Sequence, residues 1–222
     1  MRIGILTLPL EVNYGGILQA FALQRILWKL GFDAVTIDYH NRKRYPSFWR
    51  HIASYGKRLL EYYIRHKDVS TRWNPFISDE DFLILSSNTQ KFINRNIRLT
   101  KRVYSDELKK IDEEYKFDAY VVGSDQVWLD YYCPDSFLTF VDRPNVLKVV
   151  YAASCNERNS FFNKASKVRL CRRLVKNFQG ISVREKFLVP KCQDLLGVKA
   201  EWLLDPTMLL APEEYLEVID SK

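Results

Sequence analysis

The sequence predicts an α/β protein built on a Rossmann-like, mainly parallel sheet. Three observations predict it. The first 38 residues read strand, glycine loop, helix, strand. Short β-branched runs then alternate with helix-periodic segments along the rest of the chain. Polar residues gather just after those runs, and a parallel sheet has one common edge there.

Arg2–Leu8 is an apolar run short enough for a buried strand. Pro9–Gly16 is a turn-rich loop. Apolar residues Ile17, Ala20, Phe21, Leu23, Leu27 and Leu30 then follow a helix period, and Gly31 supplies the stop. Ala34–Asp38 is a second strand. The unit predicts two parallel strands joined by a right-handed crossover. Gly15 and Gly16 lack a Cβ, so the backbone there can approach a ligand closely. They also precede a helix, whose free N–H groups attract anions. A plain turn before a helix remains the alternative, since neither G-x-G-x-x-G nor a P-loop is present.

His40–Lys67 reads as an insertion. Phe48, Ile52, Tyr55, Leu59 and Tyr62/Tyr63 recur at steps of three and four, so Tyr45–Lys67 is expected to be mostly helical. Pro46 suits its first turn. Arg50, His51, Lys57, Arg58, Arg65, His66 and Lys67 occupy much of the remainder. Either the aromatic face packs and the basic face is solvated, or the patch rests on anionic headgroups. Asp68–Leu99 is polar and irregular, with Ser86-Ser87-Asn88 as a breaker and a short helix over Gln90–Ile97. Ser105 is expected to cap a helix reaching Tyr115.

Phe117–Val122 and Val146–Ala153 are further strands. Lys164–Phe178 is a basic helix and Gly180–Val183 a short strand. Glu185–Leu196 is helical, disturbed at Pro190 and stopped by Gly197. Glu201–Leu204 is the last strand. Asn13, Ser124, Asp125, Gln126, Ser154, Asn156, Arg184, Glu185 and Asp205 therefore converge on one crevice.

Composition narrows the classes. An apolar share of 47% is ordinary for a globular chain of 222 residues. The aromatic share of 14% is high, as in cores and in sugar-binding surfaces. No apolar run approaches a membrane span, and Met1–Leu8 reads as a strand rather than a leader. Cys133, Cys155, Cys171 and Cys192 have no C-x-x-C spacing and no His nearby, so no metal or redox site is expected. Net charge of +7 favours anionic partners: nucleic acid, an anionic membrane surface or phosphorylated substrates.

Five ordered motifs bear a resemblance to a known family. They are Asn13-Tyr14-Gly15-Gly16-Ile17-Leu18-Gln19-Ala20, Gly123-Ser124-Asp125-Gln126-Val127-Trp128, Tyr151-Ala152-Ala153-Ser154, Ile181-Ser182-Val183-Arg184-Glu185 and Asp205-Pro206-Thr207. Together they resemble the polysaccharide pyruvyl transferases. The resemblance implies a GT-B-like arrangement of two Rossmann-type halves, of which residues 1–222 match the N-terminal one. Residues from about 40 to 100 form an insertion, and the family's second domain and its later His motif have no counterpart, so the chain is expected to be incomplete alone.

The implied reaction moves pyruvate from phosphoenolpyruvate onto sugar hydroxyls as a ketal, in bacterial exopolysaccharide biosynthesis. The implied partners are phosphoenolpyruvate and a sugar or lipid-linked glycan, with no metal, no cofactor and no nucleic acid. The implied location is the cytoplasm or the inner membrane face.

The implied catalytic residues are Asp125 and Arg184. Asp125 would be the base on an acceptor hydroxyl; a helix cap shared with Ser124 is its alternative. Arg184 would hold the donor's carboxylate or phosphate; an ion pair with Glu185 or Asp205 is its alternative. Asn13, Tyr14, Gly15, Gly16, Gly123, Ser124, Gln126, Trp128, Ser154 and Asn156 would line the substrate cleft. Trp128 would stack on a sugar or else fill a core. Relatives often carry Gly at the position of Asn156.

Three rival functions fit parts of the pattern. One is half of a nucleotide-sugar glycosyltransferase of the same architecture. Another is an NAD-type oxidoreductase with Asp38 on the ribose, against which the missing G-x-G-x-x-G argues. The third is a non-catalytic domain that docks on a membrane or partner.

Overall fold

The computed structural model describes residues 1–40, 48–66 and 79–219. It divides into two compact units, Met1–Asn41 with Ser86–Lys222, and Arg42–Leu85.

In the first unit, β1 (Arg2–Leu6) leads through a loop into α1 (Tyr14–Lys29) and then β2 (Asp33–Thr36). The helix starts three residues before the predicted Ile17, so Gly15 and Gly16 lie inside its first turn. Asn13 explains the early start: its side-chain oxygen accepts the Gly16 N–H at 3.3 Å and caps the helix. Gly31, at φ +83°, follows the helix end as predicted. A short β3 (Tyr39–His40) comes next.

The second unit holds α2 (Phe48–Tyr63), at the place the three-and-four spacing predicts. Pro46 and the flanks 45–47 and 67 of that prediction lie outside the described residues. So does 68–78 of the stretch predicted to be irregular. Its remainder is not irregular: α3 (Asp79–Asn96) runs through Ser86-Ser87-Asn88. Residues of α3 from Ser86 onward belong to the first unit. Tertiary contacts there outweigh the weak local propensity. Thr89 Oγ1 donates to the Glu11 carbonyl at 2.7 Å and to the Ser86 carbonyl at 2.8 Å. Ile93 and Ile97 pack with Ile17 and Phe21 of α1.

β4 (Val103–Tyr104) pairs with β3 in a small parallel sheet. Then α4 (Leu108–Tyr115) follows a tight turn over Ser105–Glu107. Ser105 does not cap it. The Ser105 hydroxyl bonds Asp135 instead, and the Glu107 carboxylate accepts the Tyr104 N–H at 3.4 Å.

Then come β5 (Ala119–Asp125), β6 (Leu147–Ala153), α5 (Ala165–Leu174) and β7 (Gly180–Val183). α6 (Leu188–Lys191) widens into a π turn, Cys192–Leu196, and ends at Gly197 with φ +71°. β8 (Glu201–Trp202) and α7 (Pro212–Leu216) complete the fold.

Six strands form one sheet in the order β2-β1-β5-β6-β7-β8, and every pairing is parallel. This is a Rossmann-like α/β fold. Alternation along the strands sorts the core into two faces. Ile3, Ile5, Ala119 and Val121 pack against Leu23 and Leu27 of α1. Leu6, Tyr120, Val122 and Val150 pack on the other face with residues of α4, α5 and α6, among them Ile111, Cys171 and Leu188. The chain steps outward from β1 to β2, then returns to the other side of β1 with β5. The order of connection reverses between β1 and β5, the switch point beyond whose C-terminal strand ends an open α/β sheet places its binding crevice. Among the described residues no helix is long and apolar enough to cross a membrane.

Candidate functional site

The crevice is built by the segments that leave β1 and β5. Gly123 turns the end of β5 at φ +125°, and a Cβ there would stand 2.1 Å from the Tyr151 carbonyl oxygen. Only glycine fits. The Gly123–Ser124 peptide is cis, and Asp125 takes a left-handed φ of +67°. The Asp125 carboxylate faces the first turn of α1. Its Oδ2 lies 3.2 Å from where a Cβ on Gly16 would sit.

Gln19, absent from the predicted site, fastens this geometry. Its Nε2 donates to Thr7 Oγ1 and to the Gly16 carbonyl, each at 2.8 Å. Its Oε1 accepts the Ser124 N–H at 2.9 Å. One side chain, 1% exposed, ties the ends of β1 and β5 to α1. The signal was present in the sequence: a long polar amide set among apolar helix positions needs buried partners.

Arg184 closes the other side. Its Nε donates to Glu185 Oε1 at 3.1 Å, its Nη1 to Asp205 Oδ2 at 2.9 Å and its Nη2 to Ser154 Oγ at 2.9 Å. Asp125 Oδ1 lies 3.6 Å from Nη2. The ion-pair alternative read from the sequence is therefore realised with both Glu185 and Asp205. Burial works against the Arg184 charge, but the surrounding carboxylates outweigh it and hold the guanidinium more firmly protonated than usual.

Asp205 is nearly saturated. Its Oδ1 accepts from the N–H and hydroxyl of Thr207, and Oδ2 accepts from Ser124 Oγ at 3.0 Å besides Arg184. Burial alone would raise its pKa; these donors bring it below the ordinary carboxylate value. Ser154 donates to Glu185 Oε1 at 2.7 Å, while Glu185 Oε2 is buried with no hydrogen-bond partner. Three carboxylates thus share one guanidinium, so the crevice is net negative. Asp125 keeps acceptor capacity that Asp205 has spent.

Asn13, Gly16, Gly123, Ser124, Asp125, Ser154 and Arg184 meet at one edge, as the sequence predicts. Tyr14 stands exposed at the start of α1, and Gln126 is half-buried in the turn after Asp125. Two expected residues have other surroundings. Trp128 is fully buried, stacked on Phe137 with ring centroids 5.8 Å apart and edged by Phe161 and Phe162. It fills the core and presents no ring face to a sugar. Asn156 accepts the Asn159 N–H at 2.8 Å and shapes a surface turn. Cys155 is buried, and that burial raises its thiol pKa, opposite to what a nucleophile needs.

Asp38, the rival ribose ligand, is already engaged. Its Oδ1 lies 2.7 Å from His40 Nε2, its Oδ2 accepts from Arg102 Nε at 3.2 Å, and His40 Nδ1 lies 3.5 Å from Glu11. Among the described residues no group of His, Cys, Asp and Glu has the arrangement of a metal site. Two cavities lie away from the crevice. One, of about 460 Å³, is lined by Val149, Tyr151, Ile181 and Leu203 on the sheet; the other, of about 800 Å³, lies by Asn145, Lys148 and Asn177 near the N-terminal ends of β6 and β7.

No curated protein matches the chain. The family model of the polysaccharide pyruvyl transferases matches residues 13–222, from the Asn13 cap through the Asp125 turn to the Arg184 cluster and beyond. The chain belongs to the polysaccharide pyruvyl transferase family.

Proposed function

We propose that the protein moves pyruvate from phosphoenolpyruvate onto a sugar hydroxyl of a polysaccharide precursor, forming a ketal, and that this crevice holds the acceptor sugar. The carrying observation is the Asp125 carboxylate, set at the sheet's switch point 3.6 Å from Arg184 and facing the bare Gly16 turn. In the reaction, a proton added to the donor's terminal carbon makes C2 electrophilic. A sugar hydroxyl attacks C2 while Asp125 accepts its proton. A neighbouring hydroxyl then attacks the same carbon as the C2–O bond to phosphate breaks; phosphate leaves with that bonding pair and with the second hydroxyl's proton, while the proton passed to Asp125 offsets the one added to the terminal carbon.

The charge balance supports the acceptor reading. Hydroxyls donate readily to a carboxylate-rich crevice, whereas an anionic donor reaches Arg184 only by displacing Glu185 or Asp205. The Asp125, Arg184 and Asp205 side chains keep 13%, 29% and 19% of their area in solvent. Excluding water from the transfer therefore calls for a second wall, which this reading assigns to another lobe or chain. Phosphoenolpyruvate is a cytosolic metabolite, so the reading carries a cytoplasmic location.

The test is phosphate release from phosphoenolpyruvate in the presence of lipid- or nitrophenyl-linked sugars. Asp125→Asn should lower turnover by about 10²–10⁴-fold while sugar binding persists. Turnover of a nucleotide sugar in place of phosphoenolpyruvate, or an active Asp125→Asn protein, would overturn the reading.

A further inference from the structure

We infer that the second unit binds an anionic lipid surface through α2. The helix divides by position. Ile52, Tyr55, Leu59, Tyr62 and Tyr63 share one face, while Lys57, Arg58 and Glu61 lie off it, Arg58 at the border with its guanidinium 5.7 Å from the centre of the Tyr55 ring. Basic residues outnumber acids on that polar face, and Arg65 follows just past the helix end.

The apolar face is only partly packed: Tyr55 and Leu59 are half-buried, but Ile52 is 38% exposed, Tyr62 44% and Tyr63 68%. Leu60 beside it and Ile64 just beyond the helix are 45% and 68% exposed. In the same unit Ile84 and Leu85 of α3 are exposed as well. Isolated exposed apolar side chains are ordinary, but such a concentration on one short unit marks a contact surface.

The occupant follows from the chemistry. A helix with a wide apolar arc, a basic polar arc and low overall hydrophobicity lies in a bilayer interface with its apolar face among the acyl chains. Tyr62 and Tyr63, edge to face with centroids 5.0 Å apart, supply aromatic bodies with polar tips suited to the headgroup level. Lys57, Arg58 and Arg65 supply positive charge for anionic headgroups. The docking would hold the protein beside a lipid-linked acceptor, but the inference does not depend on that substrate.

The experiment is cosedimentation of the full chain with vesicles of phosphatidylcholine alone and of phosphatidylcholine mixed with phosphatidylglycerol. The protein should bind the anionic vesicles and lose about tenfold or more in affinity on neutral vesicles or in high salt. Lys57→Glu with Arg58→Glu should weaken anionic binding by a similar factor. Leu60→Glu with Tyr63→Glu should do the same, with circular dichroism and melting temperature checking that the fold persists. If that apolar pair fails to fold, the charge pair decides alone. Equal binding to both vesicle types, no binding to either, or unchanged binding by the folded variants would overturn the inference. So would a wild-type dimer in solution that Leu60→Glu with Tyr63→Glu dissociates, since the face would then belong to a second copy.

Discussion

Arg184 lies 2.9 Å from Asp205 and 3.6 Å from Asp125, so one guanidinium spans the carboxylates that leave β5 and β8. Asp205 is also held by Ser124 and Thr207, whereas Asp125 has a weaker grip on the guanidinium. Arg184 therefore works as the pin of the crevice, with Asp205 as its anchor and Asp125 as the less engaged carboxylate, the one to which the proposed function assigns the acceptor hydroxyl.

Removing the pin should cost both structure and turnover. Arg184→Ala leaves Asp125, Glu185 and Asp205 facing one another across a half-buried crevice. We expect a loss of roughly 1–3 kcal/mol in stability. Turnover should fall about 100-fold or more, since a misplaced reacting group carries that scale of penalty. Arg184→Lys should recover little, because an ammonium cannot hold Glu185, Asp205 and Ser154 in three directions at once. Denaturant midpoints and phosphate release on the two variants check this. Full activity in Arg184→Lys would remove the pin argument.

Trp128 separates a core role from a sugar-stacking role. Its indole is enclosed by Phe137, Phe161 and Phe162. Trp128→Ala should cost about 3–5 kcal/mol by opening a cavity, and Trp128→Phe considerably less. The acceptor KM should stay within about twofold in Trp128→Phe, because removing a group that binds ground and transition states alike raises KM. A large rise in acceptor KM at unchanged stability would place the indole on the substrate after all.

Gly123 has no tolerated replacement. At φ +125° and with the Tyr151 carbonyl 2.1 Å from any added Cβ, Gly123→Ala must move the end of β5 away from β6. We expect a destabilisation above about 3 kcal/mol, as strain and a broken ladder combine. A variant with wild-type thermal stability would show that the strand end is not held as described.

The strands of the six-stranded sheet were legible because each apolar run is short and bounded by glycine or polar residues, and those same boundaries located Asp125, Ser154, Arg184 and Asp205 at one edge; the two-residue strands β3 and β4 were too short to leave a pattern. What escaped was set by partners distant in sequence. Ser86-Ser87-Asn88 reads as a breaker until Thr89 finds the Glu11 carbonyl, 78 residues away. Ser105 reads as a cap until Asp135 takes its hydroxyl. Gln19 looks like an incidental helix residue until the Ser124 N–H, 105 residues on, needs an acceptor. Trp128 next to a polar motif suggests a binding surface, yet three phenylalanines from later in the chain enclose it. Local pattern records which face is apolar. It does not record which polar atom will be met across the core.

Gln19 offers a direct check on that point. Gln19→Leu keeps the volume but orphans the Ser124 N–H in the interior and takes from Thr7 Oγ1 the donor it accepts, leaving that hydroxyl only its bond to the Ser124 carbonyl. We expect a cost of about 2–4 kcal/mol, one to two unsatisfied buried groups. Gln19→Glu should be comparably poor, because a carboxylate cannot donate to Thr7 and the Gly16 carbonyl. Urea midpoints of the two variants measure it, and a Gln19→Leu protein as stable as wild type would sink the fastening role.

His40 sets the expected pH dependence of stability. It is 9% exposed and lies beside Asp38 and Glu11, with Arg102 on the far oxygen of Asp38. Burial lowers its pKa, but the hydrogen bonds to Asp38 and Glu11 prevail and raise it from 6.5 to about 9. The folded state therefore holds the proton more tightly than the unfolded state. Stability from this pair is fully present below about pH 6.5, because both states are then protonated at His40. Above that, the unfolded chain releases the proton first, and stabilisation drains away until the folded pKa near 9 is passed. The total at stake is roughly 3 kcal/mol, counted once for the His40–Asp38–Glu11 group and not again for Asp38. His40→Gln cannot titrate, so its stability should fall less between pH 6.5 and 9. The measurement is the urea midpoint of wild type minus that of His40→Gln across this window. The difference should shrink steadily as pH rises. A constant or growing difference would mean that His40 is neutral in the folded protein and that Asp38 is held by Arg102 instead.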